Sequence, residues 1–175
     1  MFSGKSEELL RRLRRSVIAK KKIAVFKPSV DTRWNKTYEL CSRNGECIQA
    51  LPITDPQEML RAIEDVDVVG IDELHFFPEV IVSVVEQLRK EGKHVIASGL
   101  DMDFRGEPFG CVPQLLAVAD LVLKLDAICM ICGKSATMTQ RLINGKPAPY
   151  TTSNIHVGDE EYQARCRNCH EVSIP

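Results

Sequence analysis

Four short apolar runs separated by helix-like stretches constrain this chain more than any other feature. Ile23–Phe26 (closed by Lys27-Pro28), Val66–Ile71, His94–Ser98 and Leu121–Leu125 each read as a buried strand. Ser6–Lys20 reads as a helix, with Leu9, Leu10, Leu13 and Val17 on one face and Arg11, Arg12, Arg14 and Arg15 around them. Asp55-Pro56-Gln57-Glu58 is a helix start, with a capping Asp, Pro at the first position and Glu three residues on. Glu79–Lys90 carries Val80, Val84 and Leu88 on one side and stops at Gly92, and a helix around Gln114–Ala119 precedes the last run. A further strand is expected over Cys47–Leu51. Such alternation predicts an α/β fold, a parallel sheet covered by helices on both faces, with its functional edge where strands end.

Residues 126–175 break the pattern. They hold two C-x-x-C pairs, Cys129/Cys132 and Cys166/Cys169, together with Gly145, Pro147 and Pro149. Seven cysteines rule out complete pairing within one chain, and Cys41, Cys47 and Cys111 are scattered. The paired spacing points to a tetrahedral Cys₄ zinc site, structural because no ligand position is left open. His170 could replace Cys169, but the symmetric pairs favour the cysteine. The chain thus divides into an α/β part, 1–125, and a small zinc-stapled part, 126–175.

Composition narrows the classes. The 23 basic and 24 acidic residues nearly cancel, which argues against a protein built to grip nucleic acid or anionic lipid. No apolar run approaches the roughly 20 residues of a membrane span. Residues 1–16 contain no signal-peptide core, so a cytoplasmic protein without membrane or nucleic-acid partners is expected.

Ser3-Gly4-Lys5-Ser6 opens the first helix and matches the second half of G-x-x-x-x-G-K-[ST]. In that loop glycine lets backbone N–H groups close on phosphate oxygens, lysine supplies a point charge, and the hydroxyl is a Mg²⁺ ligand. The pattern's first glycine and the strand before it would fall ahead of Met1, so a segment of about ten residues is expected there. Val68–Ile71 runs into Asp72-Glu73, an apolar strand ending in two acids. An aspartate there suits the Mg²⁺ shell. Consecutive side chains diverge at a strand end, so Glu73 is free to act as general base toward an acceptor hydroxyl.

Taken together, these motifs resemble the zinc-containing thymidine kinases of bacteria and animal cytosol. The resemblance rests on MFSGKS at 1–6, FKPSVDTRW at 26–34, IDELHFF at 71–77, GLDMDFRGEPFG at 99–110, the cysteine pairs, and IHVGDEEYQARC at 155–166. It implies a P-loop α/β domain and a small zinc domain whose long lasso loop wraps the nucleoside. It also implies transfer of the ATP γ-phosphate to thymidine with Mg²⁺. Ser3, Gly4, Lys5 and Ser6 would then serve the phosphates, and Ser6 and Asp72 the metal. Glu73 would be the base for the 5′ hydroxyl, and Asp31 and Arg33 would lie near the transferred phosphate. Met1, Phe76, Phe104 and Thr139 would line the thymine pocket. Ile155, Gly158 and Tyr162 would belong to the lasso. A homotetramer and inhibition by thymidine triphosphate are also implied.

Departures from that family are His75, where glutamine is usual, and the acidic run Asp159-Glu160-Glu161. Two other readings stay open. One is a kinase for another nucleoside such as deoxyuridine. The other is a P-loop ATPase with a zinc ribbon acting on nucleic acid, for which the basic Arg11–Arg15 and Lys20–Lys22 clusters speak.

Overall fold

The computed structural model describes residues 1–30, 38–42, 45–154 and 162–173. In chain order the first half contains α1 (Lys5–Ile18), β1 (Ile23–Pro28), β2 (Glu39–Cys41), β3 (Cys47–Gln49), β4 (Leu51–Ile53), α2 (Glu58–Arg61) and β5 (Val68–Ile71). A 3₁₀ turn (Leu74–Phe76), α3 (Val80–Lys90), β6 (His94–Ala97) and α4 (Val112–Val118) follow. The C-terminal part holds β7 (Ala127–Ile128), β8 (Ser135–Ala136), β9 (Met138–Ile143), β10 (Lys146–Pro147) and β11 (Tyr162–Arg165).

The main sheet is parallel, in the order β4-β1-β5-β6. Its two faces follow from side-chain alternation. Phe26, Val69 and Ile71 pack with Ile81, Val84 and Leu88 of α3. Val25 and Val68 pack with Leu9, Leu10 and Leu13 of α1. Gly70 lets α1 approach: a Cβ there would lie 2.9 Å from Leu13 Cδ2. The expected two-faced parallel sheet is therefore present. Four parallel strands flanked by helices, joined to a cysteine-rich region, make up the fold.

Several elements depart from the sequence reading. The segment expected as one strand over Cys47–Leu51 is split. Cys47–Gln49 forms a hairpin with Glu39–Cys41, and Leu51–Ile53 joins β1 in the main sheet. Pro52, which has no N–H, is tolerated because β4 is an edge strand. The cross-strand pair Cys41 and Cys47 is bridged by a disulfide, a pairing that the six-residue separation had not revealed. The capping signal at Asp55 is real but starts only a short helix. Asp55 Oδ1 accepts from Gln57 N, and Glu58 Oε1 accepts from Asp55 N, both at 3.0 Å.

Leu121–Leu125, expected as a strand, forms none. Leu121, Val122 and Leu123 are exposed. Together with the outer edge of β6 the run borders a groove of about 390 Å³. No described strand fills the groove, so the run has no ladder to join. Among the described residues, no helix is long and apolar enough to cross a membrane.

The C-terminal part is antiparallel, with β10-β9-β11 in one sheet and β7-β8 in a small hairpin. Register places Tyr162 opposite Arg141 and Ala164 opposite Thr139.

Candidate functional site

The site assembles where β5 and β6 end beside the start of α1. Gly4 caps α1 in the left-handed region, φ 75°, which glycine adopts without strain. Lys5 and Ser6 open the helix, where N–H groups have no intrahelical partner and the dipole favours an anion. Asp72 follows β5 and is almost fully buried. Ser6 Oγ donates to Asp72 Oδ2 at 3.3 Å, and Ser98, just past β6, donates to Oδ1. Burial, and then the neighbouring Glu73 charge, push the Asp72 carboxyl up to about 6, against the pull of the Ser98 hydrogen bond and the Lys5 charge. A cation seated there would relieve both causes. The carboxylate and the Ser6 hydroxyl are oxygen ligands of the kind Mg²⁺ takes.

Glu73 is likewise buried, and its backbone sits at φ 45°, ψ 46°. A left-handed glutamate is strained by roughly 1–3 kcal/mol, and such strain gathers at functional sites. Here it turns the chain from the strand into the 3₁₀ turn. Leu74 N–H is then caught by Ser98 O at 2.9 Å. The two acids thus leave one strand tip with different environments. His75 Nε2 lies 3.6 Å from Glu73 Oε2.

The expected nucleoside residues fall into two groups. Phe76 stacks with His75 at 4.2 Å and meets Phe109 edge-on at 6.2 Å. Phe104 is buried under two guanidinium groups, Arg105 at 5.2 Å and Arg141 at 5.7 Å from its centroid. Arg141 also lies 5.9 Å from the Tyr162 ring, so Phe104, Arg141 and Tyr162 form one cluster. Thr139 is buried on β9, and its Oγ1 accepts from the Met1 amino group at 3.0 Å. The loop at 99–110 joins the groups, since it carries both Phe104 and Phe109. Asp31, Arg33, Ile155 and Gly158, and the run Asp159–Glu161, lie outside the described residues.

Sequence reasoning missed three functional candidates. Arg105 donates to Thr152 O at 2.7 Å and Arg141 to Ser153 O at 2.6 Å, so two guanidinium groups hold the chain just before residue 155. An arginine inside the strand MTQRLI was the available signal for Arg141. Ser98 was the third, one residue beyond an apolar strand that neighbours the acidic one.

The four expected cysteines come together, with their sulfur atoms all within 4.8 Å of one another. Cys132 Sγ and Cys166 Sγ are 3.6 Å apart. A tetrahedral site with Zn–S arms of about 2.3 Å needs sulfurs about 3.8 Å apart. Burial pushes the Cys129 thiol up, yet N–H groups of Cys166, Cys132 and Ile131 outweigh it and bring it down to about 6. Those N–H groups stabilise a thiolate, which is the form a metal binds. The cluster could therefore hold a metal ion and suits structural zinc. His170 is not part of it, because its Nε2 sits 2.8 Å from Phe104 O.

A family model described as thymidine kinase matches residues 1–170. The chain belongs to the thymidine kinase family. For a thymidine kinase family member, the fold, the acidic strand tip and the Cys₄ cluster agree with one another.

Proposed function

We propose that this protein transfers the γ-phosphate of ATP to the 5′ hydroxyl of thymidine, giving thymidine monophosphate. The observation that carries the reading is the buried carboxylate of Asp72, bonded to the phosphate-loop Ser6 and adjacent to a second buried acid. Gly4 and the N–H groups of α1 receive the phosphates, assisted by Ser3 and the Lys5 charge. Ser6 and Asp72 hold Mg²⁺, which neutralises phosphate charge when bound. Glu73 accepts the hydroxyl proton, a role worth about 10²–10⁴ in rate. Phe76, Phe104, Thr139, Tyr162 and Met1 line the thymine pocket. Arg141 and Arg105 support it by anchoring residues 152 and 153. Arg33 and Asp31 serve the transferred phosphate, and Ile155 and Gly158 the nucleoside.

On this reading residues 1–125 handle ATP, while residues 126–175 hold zinc and the nucleoside loop. Cytoplasmic salvage of DNA precursors, a homotetramer and inhibition by thymidine triphosphate belong to the same proposal. The nucleic-acid ATPase finds less support, because five of the seven basic side chains in these clusters make ion pairs. Arg11 and Arg12 pair with Glu8, Arg14 with Glu46, Lys21 with Asp67, and Lys22 with Asp65.

The test is phosphate transfer from ATP to a panel of nucleosides, with Glu73→Gln alongside. Thymidine monophosphate formation that drops at least about a hundredfold in the variant is expected. ATP hydrolysis without nucleoside transfer, or a variant that keeps most of its turnover, would refute the reading.

A further inference from the structure

His75 has no place yet in the proposed reaction, although its side chain is only 1 % exposed. Its ring is fixed from several directions. Leu100 N–H donates to Nδ1 at 3.1 Å. Phe76 and Phe109 lie against the ring, with centroids at 4.2 and 4.7 Å. Gly99 is close enough that a Cβ there would sit 3.5 Å from Nδ1. A ring nitrogen that accepts a hydrogen bond carries a lone pair, so the ring's proton belongs on Nε2. That nitrogen is the one 3.6 Å from Glu73 Oε2.

We propose that His75 is a positioning residue for Glu73: a fixed Nε2–H donor that orients one carboxylate oxygen, and with it the side chain. The inference rests on the reading of Glu73 as the base. A carboxylate has two oxygens and can present either, and a base aims correctly only if something chooses between them. At Glu73 the strained backbone fixes where the side chain begins, and His75 fixes where it ends. The separation of 3.6 Å is long for a hydrogen bond, and such contacts tighten when substrate enters. The Nε2–H also offsets the repulsion between Glu73 and Asp72. A glutamine side chain could make the same donation through its amide, whereas leucine could fill the space without donating.

The test uses the full chain, with ¹⁵N-histidine NMR at one fixed pH and steady-state kinetics of His75→Gln and His75→Leu. The expected spectrum shows the Nε2–H tautomer, and Glu73→Gln moves the Nε2 resonance. The expected kinetics are a kcat lowered about 10–100-fold in His75→Leu, with thymidine KM changed much less, and recovery of most of kcat in His75→Gln. An Nδ1–H tautomer, a Nε2 resonance unmoved by Glu73→Gln, or equal kcat in the two His75 variants would overturn the proposal. If the wild-type chain transfers no phosphate, the kinase reading fails by itself. The resonance shift then decides alone whether His75 holds the Glu73 carboxylate. If His75→Leu does not fold, His75→Gln and the spectrum still decide.

Discussion

The helix-flanked parallel sheet and the cysteine-rich part are built on different physics. Around β1, β5 and β6 two apolar clusters fill both faces, with Phe26, Ile71, Met59 and Leu88 on one side and Leu9, Leu10 and Leu13 on the other. Around β7, β8 and β11 the buried apolar cluster consists of Ala127, Cys129, Ala136 and Ala164, with Cys166 and Cys169 beside it. Three alanines bury little area, at about 25 cal/mol per Å². The first region can spend stability on buried acids and a strained glutamate. On the proposed reading the second depends on metal at its sulfur cluster for order. On that reading the catalytic acids sit on the self-supporting half, and the nucleoside loop on the half that a metal would hold together.

The largest expected effect tests that dependence. Structural zinc contributes on the order of 10–16 kcal/mol of binding free energy in small sites. Chelation, or Cys166→Ser, should abolish hydrogen-exchange protection in β9 and β11 while leaving β1 and β5 protected. Protection lost equally in both would erase the distinction between the regions.

A smaller effect probes the cost carried by the self-supporting half. The Asp72 carboxyl stands near 6, above its ordinary 3.8. The protonated form is therefore the one that folding favours. Asp72 stabilises the ligand-free fold most below about pH 4 and loses that contribution as pH rises through about 6. Asp72→Asn should then raise ligand-free stability above about pH 6, by about 3 kcal/mol, with no gain near pH 4. Turnover should vanish in the same variant. Unfolding midpoints across pH check the first statement, and a stability change independent of pH would contradict it.

The smallest effect is one of packing. Gly70→Ala would push a methyl group against Leu13, and cores overfilled in this way lose about 1–3 kcal/mol. Denaturant unfolding should show that loss without a change in the cysteine-rich part's metal affinity.

The sequence exposed what depends on local pattern. Alternating apolar runs announced the parallel sheet, the C-x-x-C pairs announced the sulfur cluster, and Asp72-Glu73 stood out at a strand end. What depended on distant partners stayed hidden. Leu121–Leu125 has strand composition, but a strand exists only where a neighbour completes its ladder. The break at Ala50 is set by a hydrogen bond to Tyr38 O across the hairpin. The Cys41–Cys47 bridge needed the β2–β3 register to be known. Ser98, Arg105 and Arg141 are ordinary residues until the fold brings them to Asp72 and to residues 152 and 153. The chemistry at His75 could not be read from the sequence either, because its tautomer is fixed by Leu100, 25 residues away.

The most direct test of this division is calorimetric titration of thymidine and of ATP, each into the metal-loaded and the chelated protein. The account predicts that chelation removes thymidine binding and leaves ATP binding close to its original strength. Equal losses for both ligands, or thymidine binding that survives chelation, would contradict it.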